Sequence, residues 1–209
     1  MYQPGRFMSL NMQFSGFEYF RDYITKYSTT PLTNKQFELL SAAFQPKFLK
    51  KKQYFLQEGE VCNYYGFITK GAMRQYRVDE GGMERIVHLS IENWWVGDRE
   101  SWVMLTPSLY NIDAWEDTEL LLIKKADTLK LVQEIPACNE MVRKMDEMHA
   151  IAAQKRANAS ISLSADERYI DFAYHYPQIV KRFPQHIIAS YLGITKETLS
   201  RVLRRVIKK

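Results

Sequence analysis

The chain has 209 residues, of which 46% are hydrophobic and 13% aromatic, enough apolar material for a packed core and too much for a disordered chain. No run approaches the ~18 apolar residues of a membrane span, and the start, with Pro4, Gly5 and Arg6, shows no secretory leader. Two cysteines, Cys62 and Cys138, exclude a disulfide framework, an iron–sulfur site and a zinc ribbon, and point to a reducing, cytoplasmic compartment. The net charge of +5 is concentrated: Lys181–Lys209 holds eight basic residues and one acid, while everything before it sums to −2. A polyanion partner for that end accounts for this asymmetry, as does a solvated basic tail.

In chain order, Phe14–Tyr27 and Asn34–Phe44 have helical apolar spacing, with Thr33 as an N-cap. From Phe48 to Lys124 the pattern changes to short strands with turns, and six of the nine glycines fall between Gly59 and Gly97. Tyr64–Thr69, Arg74–Val78, Arg85–Leu89, Asn111–Trp115 and Leu120–Lys124 are the strand candidates, and Asp79-Glu80-Gly81-Gly82 supplies a hairpin turn. Lys50–Lys52 reads as a solvated turn before a strand. Strands at this spacing indicate a small antiparallel sandwich or barrel. The tryptophans Trp94, Trp95, Trp102 and Trp115 either fill its core or line an apolar effector pocket.

After Lys125 the pattern is helical. Cys138, Met141, Met145, Met148, Ala152, Lys155 and Ala159 repeat at 3–4 spacing, the seam of a helix that pairs with a second copy, reading through to Ile161. Ser164-Ala165-Asp166-Glu167 is a capping box that opens a further helix running to about Tyr176, and Ser160–Ser164 is the candidate hinge.

Gln185–Arg204 carries the sharpest signal. Ala189 is small where two helices cross closely, Gly193 permits a left-handed turn, and Ile188, Leu192, Ile194, Leu199 and Val202 supply the apolar lock. Thr195 caps a second helix starting at Lys196. This is the pattern of a helix-turn-helix, whose second helix would present Lys196, Glu197, Ser200, Arg201 and Arg204 outward. Arginine can donate two hydrogen bonds to guanine and glutamate can accept from cytosine. Thr195 and Lys196 suit phosphates.

At this point the chain resembles the CRP/FNR superfamily of bacterial transcription factors. The resemblance rests on the glycine-punctuated strands ending in Trp94-Trp95-Val96-Gly97-Asp98, the long helix, Ala165-Asp166-Glu167-Arg168-Tyr169, and Glu197-Thr198-Leu199-Ser200-Arg201, similar to an E-x-x-S-R recognition helix. It implies an α+β fold: an antiparallel double-stranded β-helix, or jelly-roll, sensor domain with leading helices (1–126), a dimerisation helix (127–162) and a helix-turn-helix domain (163–209). It also implies a homodimer on a palindromic operator in double-stranded DNA, with Glu197, Ser200 and Arg201 reading bases and RNA polymerase as a further partner. Two departures are expected. The chain ends four residues after Arg205, so the family's β-hairpin wing is expected to be missing, its contacts either absent or replaced in part by Lys208-Lys209. In the pocket region, Gly97-Asp98 and Ser108-Leu109 stand where cyclic-nucleotide binders carry Gly-Glu and Arg-Ser. A cyclic phosphate needs a cationic fork that these residues lack, so cyclic AMP is not the expected effector and any small-molecule effector is unknown. Arg74 and Arg99 are the other cations that could reach inward.

An enzyme is not expected, and neither is a cofactor or metal. His88, His149, His175 and His186 are scattered, and no HxH, HExxH, GxSxG or P-loop occurs. The alternative is a small-molecule-binding sensor module whose helix-turn-helix serves protein packing. Burial of Glu197 and Arg201 would favour it.

Overall fold

The computed structural model describes residues 16–206. Helix α1 (Gly16–Tyr27) buries Phe17, Phe20 and Ile24 on one face. The expected start at Phe14 lies outside the described residues. Helix α2 (Asn34–Ala43) opens on a capping box in which Thr33 and Gln36 satisfy each other's backbone donors.

Eight strands follow: β1 (Gln45–Leu49), β2 (Tyr54–Leu56), β3 (Tyr64–Lys70), β4 (Met73–Val78), β5 (Glu84–Ser90), β6 (Trp95–Val96), β7 (Asn111–Ala114) and β8 (Thr118–Lys124). They form two four-stranded sheets of order β1-β8-β3-β6 and β2-β7-β4-β5. The β1/β8, β3/β8, β3/β6 and β2/β7 pairs are antiparallel, which makes a jelly-roll-like domain. The β1–β2 turn carries Lys50–Lys52, exposed as expected, with Lys52 at φ 69°.

Within the roll, β1, β2 and α3 differ from the sequence expectation. Strand β1 begins at Gln45, and the three-residue β2, with a shifted register against β7, is too short to show alternation. A six-residue helix, α3 (Arg99–Met104), interrupts the strands, nucleated by the side chain of Asp98. Two of the tryptophans pack on other rings: Trp95 lies 5.4–6.2 Å from the rings of Phe20, Phe44 and Phe67, and Trp102 lies 4.9 Å from Tyr65. Trp115 receives the cations of Arg74 and Lys51 at 5.5 and 5.6 Å.

Helix α4 (Lys125–Glu134) is followed by the 27-residue helix α5 (Pro136–Ser162). The expected seam is divided along its length. Cys138 and Met141 are buried and Met145 half-buried in a core with Phe20, Phe44, Phe67 and Leu121. Met148 and Lys155 are exposed and Ala152 and Ala159 half-buried, and Ile151 and Ile161, outside the seam positions, are exposed as well. The helix also runs through Ser160–Ser162, leaving only Leu163 and Ser164 of the expected hinge outside helices. Helix α6 (Ala165–His175) starts on the Ser164/Glu167 capping box. The short α7 (Pro177–Arg182), with Pro177 in its first turn, was not apparent in the sequence.

The chain divides into two compact units: residues through Arg74 with Ser90–Asp146, and Gln75–Leu89 with Glu147 onward. The first holds two apolar clusters, one between the leading helices, β3, β8 and α4–α5, the other inside the roll around Ile68, Met73, Ile112 and Leu120. The second contains most of the β4–β5 hairpin and the C-terminal helices.

Candidate nucleic-acid interface and the pocket region

Within the second unit, α8 (Gln185–Tyr191) and α9 (Lys196–Val206) form a helix pair. The turn between them depends on Gly193 at φ 67°, a left-handed conformation that costs glycine little. The turn amides are used: Gly193 N–H donates to Ser190 O at 3.1 Å and Ile194 N–H to Ala189 O at 3.0 Å. Ala189 is buried, as close helix crossing requires, and Leu199 and Val202 are fully buried on the inner face of α9. Burying each of these two side chains contributes about 1.5–3 kcal/mol. Helix α9 packs on both α6 and α8.

Thr195 caps α9, its Oγ1 accepting the Thr198 N–H at 3.1 Å. The opposite face of α9 is open, with Lys196, Glu197, Arg201 and Arg204 exposed and Ser200 half-buried. Hydrogen bonds along the helix hold these side chains. The Arg201 guanidinium donates to Thr198 Oγ1 at 3.2 Å, and that of Arg204 to Ser200 Oγ at 3.5 Å. Bonding to its own backbone N–H and to the Thr195 hydroxyl holds the Glu197 carboxyl below the usual carboxylate range. Arg205, one residue further, turns away and pairs with Asp166 of α6 at 3.0 Å. Lys208 and Lys209 lie outside the described residues.

In the first unit, Gly97 lies where a Cβ would stand 2.7 Å from the Tyr65 ring, so no larger residue fits without displacing it. Asp98 is 5% exposed, and its carboxylate accepts from the Glu100 and Ser101 amides at 3.1 and 3.4 Å and from Ser108 Oγ at 2.7 Å. Ser101 Oγ accepts the Cys62 N–H at 2.8 Å and donates to Thr106 O at 2.6 Å. Burial pushes the Cys62 thiol up to about 11. Ser108 is buried in this lattice, whereas Leu109 is 52% exposed. Arg74 forms a two-bond pair with Asp113 at 2.9 and 3.0 Å, and Arg99 pairs with Asp146 at 2.6 Å. Among the described residues no group of three or more His, Cys, Asp or Glu is placed to hold a metal ion. No described helix is long and apolar enough to cross a membrane.

Residues 46–135 match the Cyclic nucleotide-binding domain family. Solved structures extend the match across both units. FixK2 from Bradyrhizobium japonicum is similar over 79% of this chain and 85% of its own, with a TM-score of 0.67 at 18% identity. The Catabolite Activator Protein of Thermus thermophilus matches over 85% and 84%, with a TM-score of 0.53 at 22% identity. A protein from Eubacterium rectale described as a CRP/FNR-family transcriptional regulator matches over 83% of each chain, with a TM-score of 0.59 at 19% identity. The fold is that of the CRP/FNR regulators. No curated protein matches at the sequence level.

On this CRP/FNR fold the sequence-derived positions fall into two groups. Thr195, Lys196, Glu197, Ser200, Arg201 and Arg204 come together on one helix and its cap, whereas Asp98 and Ser108 belong to an internal polar lattice, with Gly97 against the Tyr65 ring and Leu109 exposed. Sequence reading overlooked Ser101 and Thr198, whose roles depend on neighbours. The Asx-type cap of α3 was the available signal for Ser101, and the i, i+3 spacing of Thr195, Thr198 and Arg201 was the signal for Thr198.

Proposed function

We propose that the chain is a sequence-specific DNA-binding transcriptional regulator that acts as a homodimer and does not depend on cyclic AMP. The observation that carries this is α9, whose inner face is fully buried at Leu199 and Val202 while Glu197 and Arg201 stand exposed beside Lys196 and Arg204. A helix held from behind, with a bidentate donor and a charged acceptor in front, suits the base edges of a major groove. Exposure of Glu197 and Arg201 counts against the packing-module alternative.

Dimerisation is supported by the exposed Met148, Ile151 and Ile161 on the C-terminal half of α5, since a palindromic operator needs two reading helices in fixed relation. The cyclic-AMP-independent reading is supported by the Asp98–Ser108 lattice. An incoming phosphate would meet a buried carboxylate there, while Arg74 and Arg99 are engaged by Asp113 and Asp146. Burying an anion without a paired cation costs several kcal/mol.

Selection of duplexes from a random pool tests the reading directly. Wild-type protein should enrich a palindrome. Arg201→Ala should lose roughly 1–3 kcal/mol on that duplex and relax preference at one base pair per half-site. Equal losses on selected and random DNA would remove Arg201 as a base reader.

A further inference from the structure

We infer that Ser190 is a positioning residue that seats the helix pair, and with it the reading face of α9, on the β4–β5 hairpin. This inference rests on the DNA-binding reading above.

Strand β5 stands at the edge of its sheet, in the order β2-β7-β4-β5. An edge strand leaves a row of backbone donors and acceptors unpaired unless another element covers them. Here a hydroxyl from the last turn of α8 covers part of that edge. Ser190 Oγ accepts the Ile86 N–H at 3.0 Å and donates to Glu84 O at 3.1 Å, taking the place of a neighbouring strand. Ser190 is 104 residues from Ile86 in sequence, so the contact is tertiary, and both residues belong to the second unit. The Arg156 guanidinium of α5 also links β5 to α8, reaching Val87 O and the Tyr191 hydroxyl at 3.4 Å each.

Two features make Ser190 more than a surface contact. First, α8 and α9 are packed as one pair, because Ala189, Leu199 and Val202 are buried and the turn amides are bonded back to α8. Whatever holds Ser190 therefore holds Arg201. Second, the hold consists of two ordinary hydrogen bonds. Water can satisfy Ile86 N–H and Glu84 O when the hydroxyl leaves, so each bond is worth only a modest net amount. The reading face is open while the hydroxyl is engaged, so the engaged arrangement is one that can bind DNA.

The test compares Ser190→Ala, which removes both bonds, with Ser190→Thr, which keeps the hydroxyl. Hydrogen exchange at the Ile86 amide should be about 5- to 30-fold faster in Ser190→Ala, from the loss of one or two ordinary hydrogen bonds, and near wild type in Ser190→Thr. Affinity for the duplex that the wild-type protein selects should fall roughly 3- to 10-fold in Ser190→Ala, with random-duplex affinity unchanged and Ser190→Thr restored. Unchanged Ile86 exchange overturns the proposal, as does faster exchange with equal or higher affinity for the selected duplex. So does an equal fall on both duplexes. If the wild type selects no duplex, the DNA reading falls together with this proposal. If the wild type selects a duplex but Ser190→Ala departs from these expectations, this proposal falls alone.

Discussion

Replacing Asp98 with alanine tests whether the pocket region is a structural lattice. The carboxylate is 5% exposed and accepts three hydrogen bonds, two from the first turn of α3 and one from Ser108. Its removal deletes an N-cap, worth about 0.5–2 kcal/mol. It also leaves buried donors without a partner, at about 1–3 kcal/mol. Ser108 is relieved in part, because its hydroxyl can turn to Tyr110 O at 3.2 Å. The 3.4 Å bond from Ser101 is weak in any case. These offsets give a net loss of about 2–4 kcal/mol, or roughly 5–15 °C in melting temperature. All four tryptophans lie in the first unit, so their fluorescence reports its unfolding separately from the C-terminal helices. Asp98→Asn keeps an acceptor for the α3 amides and should lose about half as much. A melting temperature within ~2 °C of wild type for Asp98→Ala would refute the lattice, on the same stability scale. Cyclic AMP and cyclic GMP at millimolar concentration should produce no saturable heat with wild-type protein, and micromolar binding of either would show that another residue supplies the charge.

Ile151→Glu should shift the protein from dimer to monomer in light scattering without altering the tryptophan signal, because Ile151 is exposed and belongs to the second unit. An unpaired charge in a closed interface costs several kcal/mol, so the dissociation constant should rise ~100-fold. A dimer of unchanged affinity would place the interface elsewhere. Met145 is a poorer probe, since it packs against the apolar cluster of the first unit. Glu140 accepts from the backbone amides and hydroxyls of Thr29 and Thr30, which hold its carboxyl down at about 2, the Thr30 hydroxyl contributing most. A depressed folded-state value adds stability that is present above the unfolded value near 4.5 and is lost as pH falls toward 2. The stability gap between wild type and Glu140→Gln should therefore close across that window, and a gap independent of pH would contradict the assignment.

Local chemistry made part of this molecule legible in advance. The N-cap at Thr33, the capping box at Ser164, the left-handed Gly193 and the apolar spacing of Leu199 and Val202 each act within a few residues, so pattern alone located α2, α6, α8 and α9. The outward set on α9 was readable for the same reason: helical periodicity assigns the inner and outer faces together. Tertiary structure decided what depended on distant partners. The pattern Met141, Met145, Met148 looks uniform in sequence, yet Met141 is buried by residues of the roll and leading helices while Met148 is left open. Arg74 and Arg99 are cations of equal promise until Asp113 and Asp146 engage them. Asp98 reads as a pocket residue, but burial beside Ser108 and the start of a six-residue helix gives it three internal donors. Ser190 looks like a neutral helix position until the edge of β5, more than a hundred residues earlier, supplies an amide and a carbonyl. Periodicity records which face of an element is apolar; which buried polar group meets which partner is settled only when segments far apart in sequence close on one another.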